Sequence, residues 1–262
     1  MNNFFSALWA ETLKARRSKM PFFTTLGFTF VPLIGGLMMI ILKDPEAAKS
    51  MGLISAKAQL MAGVADWPTF FGILAQAVAV GGGILFAIIT IWVFGREFSD
   101  HTVKEILALP TSREAIVAAK FILIVGWALV LSFYIFGLGL VIGHLVVIPG
   151  WSAELLRSAF MDMLGTAMLT IILLPFVALF AGLGRGYLAA LGWTVFTMVL
   201  SQVAAITGWG DWFPWSIPAL YSGVVGPRSE QLGNHSYVIA TLACTIGLIA
   251  TFYWWRVADQ TR

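Results

Sequence analysis

Nine groups that could do chemistry are gathered between Gly95 and Phe121: Arg96, Glu97, Asp100, His101, Lys104, Glu105, Arg113, Glu114 and Lys120, set between two long apolar runs. Acids and bases interleaved in this way suit ion pairing and docking better than bond making. The remaining candidates are isolated. Cys244 is the only cysteine, so no internal disulfide is possible, and it reads as a structural thiol. His101, His144 and His235 are scattered and suggest no metal cluster. No His-Glu-x-x-His, paired-cysteine or Gly-x-Ser-x-Gly pattern occurs. An enzyme acting on lipid carriers would need clustered catalytic groups, which the sequence does not offer.

The elements that must position this charged island follow from composition. Hydrophobic residues make up 59% and charged residues 11% of the chain, against about a quarter charged in soluble domains. So few charges cannot cover a solvated surface, and the chain reads as an all-α integral membrane protein. Crossing about 30 Å of hydrocarbon takes roughly 20 apolar residues, and six runs reach that length: 21–42, 70–94, 121–143, 163–181, 187–207 and 236–255. None holds an internal Asp, Glu, Lys or Arg. The runs do not alternate, so helices are expected and not a barrel. The first run is longer than a signal-peptide core and reads as an uncleaved helix. No internal repeat is visible, and residues 1–262 read as a single membrane domain.

Lys and Arg counts orient such a protein. With six spans, one side holds Lys14, Arg16, Arg17, Lys19, Arg96, Lys104, Arg113, Lys120, Arg185, Arg256 and Arg262, and the other holds Lys43, Lys49, Lys57, Arg157 and Arg228. Both termini and the island are therefore expected in the cytoplasm, with 43–69 and 208–235 outside. The net charge of +3 reflects this asymmetry and not nucleic-acid binding.

Before the first span, Phe4, Phe5, Leu8, Trp9 and Leu13 recur near helical spacing, with Glu11, Lys14, Arg16 and Arg17 on the other arc. That pattern suggests an interfacial helix, or else an ordinary basic flank. In the outer stretch Trp209 to Tyr221, Pro214 and Pro218 forbid a regular spanning helix. Trp212, Phe213, Pro214, Trp215 and Pro218 then belong either to short interfacial or re-entrant pieces or to a simple aromatic belt. Asp162, at the outer mouth of the fourth run, reads more readily as a solvated helix start than as a proton-coupling acid. Gly81 to Gly83 and the pair Gly139 and Gly143 offer small faces for close helix approach. Pro32 and Pro175 are candidate kinks.

Within the island, Gly95 is expected to end the second span. Ser99 or Asp100 can then cap a short helix through Val103, Ile106 and Leu107 that Pro110 stops. Thr111 or Ser112 before Glu114 launches the third span, and Lys120 can snorkel back to the interface.

Here a family resemblance emerges. Glu97, Thr102, Ile106, Leu107, Pro110, Ser112, Arg113 and Lys120 resemble the signature between the second and third spans of type-2 ABC transporter permeases. Glu11, Leu13, Lys14, Arg16, Arg17 and Ser18 are similar to that family's N-terminal motif. Phe213, Pro214, Trp215 and Pro218 resemble the outer region of its bacitracin-resistance and lantibiotic-immunity branch. The resemblance implies a permease subunit of the cell inner (cytoplasmic) membrane, pairing with a second permease copy or paralogue and with two copies of a cytoplasmic ATPase.

ATP and Mg would sit on that partner, since this chain carries no Gly-x-x-x-x-Gly-Lys phosphate loop and no cofactor of its own. By the same resemblance, coupling to the ATPase falls to Phe98, Asp100, His101, Thr102, Val103, Lys104, Glu105, Ile106 and Leu107, with Glu97 and Arg113 as orienting charges. The implied cargo is an amphipathic or lipid-like compound, a peptide antibiotic first. A secondary transporter or channel working without an ATPase is the alternative, although the spans lack the charged sites it would normally use.

Overall fold

The computed structural model describes residues 3–44, 64–107, 110–224 and 232–257. Lys49, Lys57, Arg228 and Arg262 of the charge count lie outside the described residues, as do the side chains of Ile106 and Leu107. All described secondary structure is helical. In chain order it comprises α1 (Asn3–Arg17), α2 (Met20–Lys43), α3 (Trp67–Ser99), α4 (Val103–Leu107), α5 (Arg113–Leu145), α6 (Ala153–Ile171), α7 (Leu174–Leu183), α8 (Leu188–Ile206), α9 (Ile217–Tyr221) and α10 (Asn234–Val257). Two 3-10 turns, Gly210–Trp212 and Pro214–Ser216, precede α9. Six stretches are long and apolar enough to cross a membrane: α2, α3, α5, α6 with α7, α8 and α10.

Side-chain caps start α3, α5 and α6. Asp66 accepts from the Thr69 amide (2.9 Å), Ser112 from Ala115 (3.2 Å) and Ser152 from Leu155 (3.1 Å). The second span does not end at Gly95. It runs to Ser99 and stops where His101 takes φ 58°, with the His101 amide bonded to Phe98 O (3.3 Å) and the Thr102 amide to Glu97 O (2.9 Å). Asp100 therefore closes α3 instead of opening the short helix. This crossed pair of bonds is a C-terminal motif that usually has glycine at the left-handed position. The same motif ends α5 at Val147 (φ 57°) and α7 at Arg185 (φ 46°). Gly95 instead lets another segment come close, since a Cβ there would lie 2.7 Å from the Tyr187 ring and 3.1 Å from the Gly186 backbone.

Prolines and glycines divide by context. Pro32 sits inside an unbroken α2, whereas the fourth span is interrupted at Ile172–Leu173, the latter two residues before Pro175. Gly139 and Gly143 of α5 press on Leu74 and Trp67 of α3, where added Cβ atoms would come within 2.3 Å. Gly81 and Gly83 face open space and mediate no such approach.

The core is one apolar cluster running between the helices, with Phe28, Phe70, Phe86, Phe94 and Ile135 fully buried. Outside it, α2, α8 and α10 expose large apolar side chains such as Phe22, Phe30, Val199 and Ile249. An apolar exterior of this extent suits hydrocarbon and not water. The island, α1 and the last turn of α10 share one end of the bundle: Asn3 reaches Pro110 O (3.4 Å), and Arg113 reaches Trp255 O (3.2 Å).

The segment after α8 folds back along it. Trp215 packs against Trp193 (5.4 Å between ring centroids) and Phe176, and Trp193 lies about 20 Å of helix rise before Ile206. Ser216, nearly fully buried, donates to Gly210 O (2.7 Å) or Phe213 O (2.8 Å). Neighbouring helices thus cover this irregular backbone, whose polar groups are bonded within the segment.

Candidate functional site

Four charged residues from three helices meet at the end of the bundle that carries the island. Lys120, near the start of α5, is 0% exposed. Its ammonium donates to Glu97 Oε1 (2.8 Å), to Val93 O (2.9 Å) and to Glu11 Oε2 (3.1 Å). Three donors meet three acceptors, which fills the hydrogen-bonding capacity of a lysine. Lys14 donates to Glu11 Oε1 (2.6 Å) and Glu97 Oε1 (2.9 Å). Two acids and two bases sum to zero charge, the condition under which ions can be held away from water. Glu97 Oε2 is buried and has no hydrogen-bond partner among the described residues.

The helix surfaces explain why these groups converge. Glu11 lies on the buried stripe Ala7, Glu11, Ala15 of α1, whose small residues bring it against Ile116 and Ala119 of α5. It does not belong to a solvated arc, as the charge pattern of the sequence suggested. Phe5 and Trp9 are the ones turned outward, at 60% and 66% exposure. Leu13 is partly buried, and Arg16 and Arg17 are exposed. Lys120 does not snorkel. Its stem and head turn inward because two carboxylates wait there. For Lys14, partial burial works against the charge, but Glu97 and Glu11 outweigh it and hold the ammonium above the ordinary lysine pKa of 10.5.

The island divides into two faces. Inward lie Glu97, Phe98 and Val103, all buried, with Phe98 packed on Trp254 and Trp255 (5.9 and 5.7 Å between centroids). Outward lie Asp100, His101, Lys104 and Glu105, with Thr102 between. Asp100 pairs with Arg96 at 3.4 Å. Arg113 points neither way. Its Nη1 donates to Trp255 O (3.2 Å) and Arg256 O (3.3 Å), closing carbonyls at the end of α10 that the helix itself leaves open. Glu97 and Lys120 thus pin the two ends of the segment that carries α4, α1 is pinned to both, and Arg113 adds α10. Periodicity in the sequence gave no sign of this clamp, because its members are spread over three helices. The resemblance contained all four residues without saying that they touch.

The family described as ABC-2 family transporter protein matches residues 7–201 of this chain. The chain belongs to that family. The match takes in all four clamp residues and α4, and it stops before the folded-back segment and α10. The bacitracin transport permease protein BCRB of Bacillus licheniformis is 28% identical over 182 residues, which cover 67% of this chain and 84% of that protein. No solved structure matches. As an ABC-2 transporter permease the chain is a multi-pass protein of the cell membrane and belongs to a class of membrane subunits that are not themselves enzymes.

Proposed function

We propose that this permease is the transmembrane part of an ATP-driven exporter. Two copies, or one copy and a paralogue, would pair with two copies of a cytoplasmic ATPase that carries ATP and Mg. The observation that carries the reading is the clamp. It makes α4, a short helix with an outward polar face, the tip of a unit that includes α1, α3 and α5, so force applied at Lys104 and Glu105 reaches two long spans together. The Lys and Arg asymmetry supports placing this end in the cytoplasm, where a soluble ATPase works. The cargo is an amphipathic or lipid-like compound taken outward or drawn from the membrane. The likeness to a bacitracin transport permease favours a peptide antibiotic and a role in resistance.

Exchanging the two exposed charges, Lys104→Glu with Glu105→Lys, leaves the clamp untouched and tests the coupling role. The variant should reach the membrane normally but lose co-purification with its partner ATPase, or lose substrate-stimulated ATP hydrolysis. Normal assembly and normal stimulation would remove α4 from that role. Unchanged bacitracin sensitivity on deletion and on overexpression would remove the antibiotic.

A further inference from the structure

Beside the clamp, the ends of α1 and α3 enclose a cleft of about 470 Å³, lined by Ala10, Leu13, Lys14 and Arg17 of α1, by Ser18, and by Arg96 in the last turn of α3. Residues 10, 13, 14 and 17 fall on one face of a helix, so α1 turns a stripe with two bases toward a third base on α3. No acid lines the cleft among the described residues. In its surroundings Lys14, Arg16, Arg17, Lys19, Arg96 and Lys120 outnumber Glu11, Glu97 and Asp100.

The three lining bases are engaged to different degrees. Lys14 gives two of its three donors to Glu11 and Glu97. Arg96 lays its guanidinium 5.0 Å from the Trp92 ring and meets Asp100 at 3.4 Å. That separation is longer than a charge-assisted hydrogen bond, and a partly exposed i, i+4 pair of this kind is weak in water. Arg17 is exposed and makes no ion pair among the described residues. The cleft lies at the level where the chain enters the membrane. The apolar helix α2 begins at Met20, two residues beyond Ser18, and Trp9, Phe22 and Phe23 are exposed around that entry.

We propose that this cleft holds the phosphate of an anionic phospholipid of the adjoining leaflet, with Arg17 and Arg96 donating to the phosphate oxygens and Ala10 and Leu13 beside the glycerol. Guanidinium groups suit this role because their planar sets of N–H donors match phosphate oxygens, and basic pockets between helices are a recurrent way of binding lipid headgroups. The bound lipid ties α1 to α3 next to the clamp. The Lys and Arg asymmetry supports the cytoplasmic leaflet as its source. Neither the ATPase nor the cargo enters the inference, so its failure leaves the coupling role of α4 untouched.

The experiment is native mass spectrometry of the delipidated chain in a neutral detergent, titrated with phosphatidylglycerol and, separately, with phosphatidylcholine. One phosphatidylglycerol per chain is expected, held about tenfold more tightly than phosphatidylcholine. Arg17→Gln and Arg96→Gln should each weaken it about tenfold, the loss of one charge-assisted contact. Ala10→Leu, which narrows the cleft and keeps every charge, should weaken it as well. Arg16→Gln and Lys19→Gln remove neighbouring exposed bases that do not line the cleft and should leave the affinity within about twofold, whereas diffuse attraction to an anionic surface would feel each base alike. Thermal midpoints in lipid-free detergent separate loss of binding from loss of fold, and for the exposed Arg17 no change is expected. Equal retention of the two lipids, wild-type affinity in Arg17→Gln or Ala10→Leu, or an equal loss in Arg16→Gln would overturn the site. Displacement of the lipid by millimolar inorganic phosphate would name a soluble anion as the occupant and overturn the lipid.

Discussion

The two ends of this bundle are held by different physics. At the island end, Glu11, Lys14, Glu97 and Lys120 form a neutral cluster of short, directional contacts, with Lys120 fully enclosed. At the other end the contacts are rings: Trp67 packs with Phe70, Phe71, His144 and Trp151, and Phe71 stacks on Phe136. Charged networks fix relative position, since each bond is lost by small displacements and an unpaired ion in the interior is costly. Ring packing is less directional and tolerates small shifts between the helices. The difference sets a fixed geometry at one end against adjustable packing at the other.

Four substitutions break or sharpen that contrast. The largest effect is expected at the clamp. Lys120→Met keeps the length of the side chain but leaves two buried carboxylates to Lys14 alone, and should cost about 3–5 kcal/mol, seen as a sharply lower thermal midpoint in detergent. A variant as stable as the parent would show that the cluster fixes nothing.

At the ring-packed end, Gly143→Ala places a Cβ 2.3 Å from the enclosed Trp67 ring. Overpacking of this kind should cost about 1–3 kcal/mol, with a change in tryptophan fluorescence that Lys120→Met does not produce. An effect below that range would mean that α3 and α5 slide apart easily there.

The smallest effect compares helix ends. Val147→Gly relieves a β-branched residue at φ 57° and should stabilise by about 1 kcal/mol. His101→Gly, at φ 58°, should gain less, because histidine tolerates that region better than valine. Equal gains by chemical denaturation would show that residue type does not set the strain at these two turns.

How far these features could be read from sequence depends on whether their signal is local. The caps at Asp66, Ser112 and Ser152 are local, since a short polar side chain and the amide three residues on belong to the same turn. Ser112 was accordingly legible before Glu114. The end of α3 was not, because histidine occupies the position where glycine would have announced the stop. Pro175 was legible as a break and Pro32 was not distinguishable from it, because what frees the one and tolerates the other is the packing around each. Of the candidate site, α4 was visible between its turn and Pro110. The inward direction of Glu97 and Phe98 was not, because a charge and a ring in sequence do not say which neighbour waits for them.

The sequence by itself determined the solvent and the class of this protein. Six apolar runs free of charge, and charges concentrated beside them, leave helices in a bilayer as the one way to satisfy backbone and side chains together. Its motif pattern was also enough to point to the ABC-2 family. Only the tertiary structure decided that Glu11 and Lys120 are partners across 109 residues of sequence, and that Asp162 stands well inside α6 and not at its start. The reason is one of range. Hydropathy and caps act over a few residues along the chain, whereas an ion pair or a cavity depends on which helix faces are brought together.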